Sequence, residues 1–184
     1  SLIIDKNEKI LFKEVIAKEV VNDISKDLLE IANTFSIYTE DELFSSDPNY
    51  HSQGAKYFDF FKNKLNKEAL KIVASFNDEK VASKIAKKYG LEYVVYLNGR
   101  INLKNTSKES GNRKLMEILG DELKNTIVFG DDVGDLNMIN EAGIGVLMKN
   151  ARDEIKVKAK NVSKYTNDEE GVARFLSNYF NLKI

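Results

Sequence analysis

The sequence predicts an α/β chain in two parts. An α+β unit with antiparallel pairing runs from about residue 13 to 103, and a series of βα units around a parallel sheet follows to residue 184. Three observations carry this reading. Thr126–Phe129 is a short apolar run with β-branched residues, bounded by Gly130, as expected of a strand buried on both faces of a parallel sheet. From there onward, strand-like and helix-like segments alternate with short links. Before it, Asn98-Gly99 joins two strand-like runs, a turn signal that belongs to antiparallel hairpins.

The elements follow in order. Leu2–Ile4 and Lys9–Phe12 flank the turn-rich tetrad Asp5-Lys6-Asn7-Glu8 and read as a hairpin. Ser1, not Met, opens the chain directly on the first arm, so either a tag has been removed or upstream protein is missing. From Glu14 to Ala32, Val15, Ile16, Val20, Val21, Ile24, Leu28, Leu29 and Ile31 recur at helical spacing. Ser36–Thr39 reads as a short strand. Glu40–Gly54 holds the only proline, Pro48, among Ser, Asp and Asn, and reads as a loop. The aromatics Tyr57, Phe58, Phe60 and Phe61 have the spacing of a helix face, which favours core over a pocket lining. Ala69–Ser75 is a strand; Asp78 caps a helix that ends at Tyr89, with Gly90 in the C′ role. Tyr93–Leu97 and Ile101–Leu103 are the arms of the Asn98-Gly99 hairpin.

The second part begins with a helix, Asn112–Leu119, closed by Gly120. Strand 126–129, helix Leu136–Ala142, strand Ile144–Leu147, helix Ala151–Ala159, an extended run near Val162 and a last helix over 168–180 follow. Asn167 and Glu170 resemble a capping box for that last helix. Two or three parallel strands make a poor sheet, because parallel sheets need cover on both faces. Taken alone, this part lacks strands that would complete a doubly wound core.

Charge and composition exclude several functions. Lys+Arg 28 against Asp+Glu 29 gives a net charge of −1, which supplies no drive toward nucleic acid or an anionic membrane. The absence of cysteine removes disulfides, thiol nucleophiles and thiolate metal sites, and fits a reducing, cytoplasmic setting. No apolar run approaches the length of a membrane span, and His51 is the only histidine. Hydrophobic residues make up 42%, enough for a real core.

The chemistry is concentrated after Phe129. Asp131, Asp132 and Asp135 stand where a buried strand ends and a helix begins, the edge at which open α/β sheets bind ligands. The segment holds no Lys or Arg, so the acids repel one another, and a hard divalent cation such as Mg²⁺ would relieve that repulsion. A solvated acidic turn capping the next helix is the plainer alternative.

Ser107-Lys108, Thr126–Asp135, Ala142-Gly143-Ile144-Gly145-Val146, Asn150-Ala151 and Asp168-Glu169-Glu170-Gly171-Val172-Ala173 together resemble the C-terminal half of a haloacid dehalogenase (HAD) superfamily phosphatase of the Cof-like subgroup. The first hundred residues resemble that subgroup's type IIB cap. The resemblance implies a partial, Rossmann-like parallel-sheet core with an inserted α+β cap: 1–12 a pre-cap hairpin of the core, 13–103 the cap, 104–184 the C-terminal half of the core. It implies a Mg²⁺-dependent phosphatase of small phosphorylated metabolites, sugar phosphates among them, working through an aspartyl phosphate. Lys108 matches the lysine that balances the charge of nucleophile and phosphate. Asp131 matches the acid that holds Mg²⁺, and Asp135 its partner, which binds the metal or orients its ligands. Asp132 falls at a variable position and is expected behind the ligands or exposed. Asn150 reads as an N-cap, and Gly143 and Gly145 as sites of tight turns and close packing.

Two departures stand out. Gly134 replaces the Asn usual before the last aspartate. The family's nucleophile, in an Asp-X-Asp motif followed by a Ser or Thr motif, has no match: Asp5-Lys6-Asn7 lacks the second acid and the following Gly-Thr. The chain alone is therefore expected to be inactive. Two other readings remain: a non-catalytic remnant of such a protein, and a receiver-like signalling module. In receivers, however, the paired acids precede the lysine, whereas here Lys108 precedes Asp131.

Overall fold

A computed structural model describes residues 1–96 and 99–182. Its contacts divide the chain into two compact units, Ser1–Ser107 and Lys108–Ile184.

The first unit opens with the expected hairpin, β1 (Leu2–Ile4) against β2 (Ile10–Lys13). Asp5 holds its turn: Oδ1 accepts from the backbone N–H of Asn7 at 2.8 Å and of Lys9 at 2.9 Å. Helix α1 (Lys18–Ile31) starts later than the Glu14 that periodicity suggested. Ile16 is taken instead by a two-way backbone bridge to Ala69, with N···O distances of 2.7 and 3.0 Å. A ladder bond formed with a distant strand outcompetes a helix's frayed first turn.

β3 (Thr34–Tyr38), β4 (Leu43–Ser45), β5 (Lys56–Tyr57), β6 (Lys71–Ser75), helix α2 (Glu79–Tyr89), β7 (Glu92–Val95) and β8 (Arg100–Lys104) follow. The strands form one sheet in the order β5-β4-β3-β6-β8-β7, antiparallel except for β4 with β5. Alternate residues Phe35, Ile37, Ile72, Ala74, Ile101 and Leu103 are buried in one cluster with Val21, Ile24 and Leu28 of α1 and Ala82, Ile85 and Ala86 of α2. Period-two burial on the strands and an apolar stripe on each helix build this core. Asp78 caps α2, accepting from the N–H of Lys80 at 2.9 Å, and Gly90 closes it at φ 64°.

Two further readings in this unit change. The stretch Glu40–Gly54 is not all loop. Thr39 and Glu42 exchange hydrogen bonds across a tight turn, at 2.9 Å through the backbone and 3.0 Å through the threonine hydroxyl, and Leu43–Ser45 returns as the buried strand β4. The aromatics over 57–61 are not on a helix, so helical spacing does not sort them. Phe60 is buried and Phe58 packs between it and Phe44, whereas Tyr57 and Phe61 are 54% and 85% exposed. Of the Asn98-Gly99 turn, Asn98 lies outside the described residues, as does Leu97 at the end of the expected strand. Gly99 has φ 74°, and the N–H of Tyr96 donates to the carbonyl of Arg100 at 2.8 Å.

The second unit comprises α3 (Lys108–Leu119), β9 (Ile127–Gly130), α4 (Leu136–Glu141), β10 (Ile144–Leu147), α5 (Asp153–Lys156) and α6 (Gly171–Phe180). A single 3₁₀ turn, Val133–Asp135, leads into α4. β9 and β10 are parallel, with Ile127 opposite Ile144 and Gly130 opposite Leu147. The extended run at Val162 bridges Leu147 in parallel, extending the pairing by one residue pair. β9 was expected to be buried on both faces, but all four residues are only half-buried, because among the described residues it pairs with β10 alone. Gly145–Leu147 of β10 are buried.

α5 is shorter than the expected Ala151–Ala159. The helix ends at Lys156; beyond it Val157 is 83% exposed, while Ala159 still packs against the buried cluster. The cap before α6 is shifted by one residue: the N–H of Thr166 donates to Glu169 Oε2 at 2.9 Å and that of Glu169 to Thr166 Oγ1 at 3.2 Å. Among the described residues no helix is long and apolar enough to cross a membrane.

Candidate active site

β9 and β10 run in the same direction and end level with each other, so the residues that follow them gather at one edge. The loop after β9 folds back on its own strand. A Cβ on Gly130 would lie 2.4 Å from Asp135 Cβ and 2.7 Å from its Cγ, so only glycine allows Asp135 to pack there. Asp132 caps the 3₁₀ turn, with Oδ1 accepting from the N–H of Val133 at 2.7 Å. Its carboxylate is thus directed into the turn.

Asp135 is the buried centre of the loop, 4% exposed. Its Oδ2 accepts from the N–H groups of Asp131 at 3.0 Å and Asp132 at 3.1 Å. Its Oδ1 accepts from the ammonium of Lys108, the first residue of α3. Burial alone would raise its pKa. The ammonium and the two backbone donors outweigh burial and hold the carboxyl below its ordinary value. α3 is fixed beside α4 by the ion pair of Arg113 with Glu141 and by Asn137, whose amide donates to Glu109 at 3.0 Å. Lys108 therefore reaches Asp135 from an anchored helix start.

Asp131 is exposed, and its Oδ2 accepts from the side-chain amide of Asn150 at 3.2 Å. The Asn150 carbonyl oxygen in turn accepts from the backbone N–H of Asn167 at 3.0 Å. Asn150 is thus not the N-cap expected of it; α5 begins two residues later, after Arg152. The structure joins Lys108 directly to Asp135 and places Asp131 one backbone hydrogen bond away. The link from Asn150 to Asp131 escaped sequence reasoning, although a signal existed: β9 and β10 end at one edge, so the loops after both strands belong to one neighbourhood. Gly143 and Gly145 serve close packing rather than turns, with Cβ positions only 1.8 Å from the backbone oxygens of Lys124 and Ile139.

The repulsion among the three acids is met from within the protein: Lys108 and backbone N–H groups compensate Asp135, and the turn compensates Asp132. Both oxygens of Asp135 are occupied. Among the described residues no group of three or more His, Cys, Asp or Glu side chains converges as a metal cluster, and Asp131 Oδ1 accepts no hydrogen bond among them. That single carboxylate oxygen is the hard donor a divalent cation takes, since Mg²⁺ keeps several waters and uses one or two carboxylates together with substrate phosphate.

The haloacid dehalogenase-like hydrolase profile matches residues 1–176. Over 76 residues the chain is 43% identical to 5-amino-6-(5-phospho-D-ribitylamino)uracil phosphatase YitU of Bacillus subtilis, covering 41% of this chain and 28% of that protein. Over 135 residues it is 32% identical to phosphatase YwpJ of the same bacterium, covering 73% of this chain and 43% of that one. The chain thus spans less than half the length of these relatives. Among solved structures, a haloacid dehalogenase-like hydrolase from Bacteroides thetaiotaomicron superposes with a TM-score of 0.76 at 21% identity, covering 97% of this chain and 73% of that one. The HAD subclass IIB sugar phosphatase BT4131 superposes with a TM-score of 0.74 at 19% identity, covering 96% and 72%. These two similarities establish the α/β fold. With a family profile running through both units and the Lys108–Asp135 pair at the shared strand edge, the chain belongs to the haloacid dehalogenase-like hydrolase family.

Proposed function

We propose that the protein is a Mg²⁺-dependent phosphatase of small phosphorylated metabolites, and that this chain carries the phosphate- and cation-holding half of its site. The observation that carries the reading is the Lys108 ammonium locked onto buried Asp135 beside the outward oxygen of Asp131. Lys108 offers positive charge to a phosphoryl group where charge develops on its oxygens. Asp135 orients that ammonium and pins the loop through two backbone N–H groups. Asp131 offers one hard oxygen to the cation, and Asp132 shapes the turn. Bound Mg²⁺ would supply charge neutralisation and Lewis acidity at the phosphoryl oxygens. The names of YitU and BT4131, with the near-neutral charge of this chain, support phosphorylated polyols or sugars over nucleic acid or membrane partners.

The family's attacking aspartate and general acid have no match among these 184 residues. We therefore infer that the chain alone does not complete the aspartyl-phosphate cycle. The test is hydrolysis of an aryl phosphate with and without Mg²⁺, comparing this chain with one that includes any sequence encoded upstream of Ser1. Activity is expected only in the longer form, falling at least a hundredfold on Asp131→Ala or Lys108→Ala. A longer form inactive with every divalent cation would refute the assignment.

A further inference from the structure

We propose that Asn150 is a positioning residue for the cation ligand: its amide holds Asp131 with one oxygen turned outward and ties it to the turn that opens α6. The proposal rests on the reading that Asp131 ligates a divalent cation.

Hydrogen-bond chemistry fixes the direction of the amide. The backbone N–H of Asn167 can only donate, so the carbonyl oxygen of Asn150 must face it, at 3.0 Å. The NH₂ group is then left for Asp131, where it meets Oδ2 at 3.2 Å. Reversing the amide would set donor against donor on one side and oxygen against oxygen on the other. Asn150 thus acts as a one-way strut between two loops.

Both ends of the strut are anchored. Behind Asp131, the N–H of Met148 donates to the carbonyl of Gly130 at 2.8 Å, which ties the end of β9 to the residue after β10. Behind Asn167, the N–H of Lys149 donates to the carbonyl of Tyr165 at 3.3 Å, and the N–H of Gly171 to that of Thr166 at 3.0 Å. A Cβ on Gly171 would lie 2.5 Å from the Met148 side chain and 2.6 Å from the Thr166 carbonyl, so the turn is packed against the same strand end. Asp131 itself is exposed. The amide orients it: with Oδ2 engaged, Oδ1 is presented singly. Hydrogen-bond partners of metal ligands act in this way, and their loss lowers metal affinity about 10–100-fold.

The test is titration of the protein with MgCl₂ followed by amide NMR, with Asp131→Asn as control. In the wild type the Asp131 backbone amide and the Asn150 side-chain NH₂ pair should shift together with one apparent Kd, and neither should respond in the control. Asn150→Ala should weaken the Asp131 response about tenfold while the unfolding midpoint stays in place. An Asp131 response without one at the Asn150 side chain, or wild-type affinity in Asn150→Ala, overturns the strut and leaves the phosphatase reading intact. No response at Asp131 in the wild type overturns the strut together with the reading that Asp131 holds the cation in this chain, whereas the phosphatase reading falls only with an inactive longer form. Should Asn150→Ala fail to fold, the wild-type side-chain response decides.

Discussion

Asp135 does three things with one carboxylate: it neutralises Lys108, joins the two residues before the 3₁₀ turn, and fills the space left by Gly130. The substitution Gly130→Ala tests the last of these. Its methyl group would press on Asp135 Cβ at 2.4 Å, forcing the loop outward at a cost of about 1–3 kcal/mol. Urea unfolding should show that loss, and the Lys108 side-chain resonance should move; a wild-type midpoint would show that the loop has slack. The same carboxylate predicts a pH dependence. Its folded pKa is depressed, so its contribution to stability is full above the unfolded value of about 3.9 and is lost as pH falls through the folded value. Stability measured by denaturant from pH 5 downward should therefore fall more steeply in the wild type than in Asp135→Asn, and equal slopes would refute the assignment. Little of this pair is visible in local sequence. Lys108 and Asp135 are joined by tertiary structure across an intervening helix and strand, and only the family register distinguished Lys108 among 28 basic residues.

Elements whose ends are set by their own residues were legible, and those set by distant partners were not. Helix α2 is the clear case: Asp78 at its N-cap and Gly90 beyond its C-terminus are in the predicted places. Gly90→Ala should cost about 1 kcal/mol, because φ 64° is strained for any residue with a Cβ although the space around it is open. Thermal melts would read this as a lowered midpoint, and no change would mean that the cap relaxes. β4 and the start of α1 show the opposite situation. Leu43–Ser45 is short and lies in polar surroundings, and becomes a strand because β3 and β5 flank it. Ile16 leaves the helical pattern for a bridge to Ala69, more than fifty residues away. Between α4 and β10 the spacing is set by glycine: a methyl group on Gly145 would meet the Ile139 carbonyl at 1.8 Å. Gly145→Ala should therefore destabilise the second unit by about 1–3 kcal/mol or more, seen as early loss of the β10 amides in hydrogen exchange. Wild-type protection would indicate that the two elements can move apart.

Over the whole molecule, the two units differ in how much apolar surface they seal. The first unit closes a six-stranded sheet and two helices over a single cluster running from Ile16 to Leu103, in which Ile16, Val21, Ile24, Leu28, Ile37, Ala69, Ile72 and Leu103 are at most 1% exposed. Each Val, Leu or Ile among them contributes about 1.5–3 kcal/mol when fully buried. The second unit has a two-stranded sheet and a cluster of Leu136, Ile139, Leu147, Ala151 and Ile155, with β9 half-buried along its length. Its last helix ends in Tyr179 and Phe180, both more than half exposed. Stability across a structure follows such differences, because a segment with few sealed contacts opens at lower free energy. Native-state hydrogen exchange on this chain should therefore find the slowest amides in β3, β6, β8 and α1, and markedly faster exchange in β9 and α4, which flank the loop of Asp131 and Asp135. A denaturant series should separate two openings, with the second unit opening first. Exchange through one shared opening, with β9 as protected as β6, would mean that the modest core of the second unit holds as firmly as the large core of the first. The asymmetry would then have no bearing on how the candidate site is kept in place.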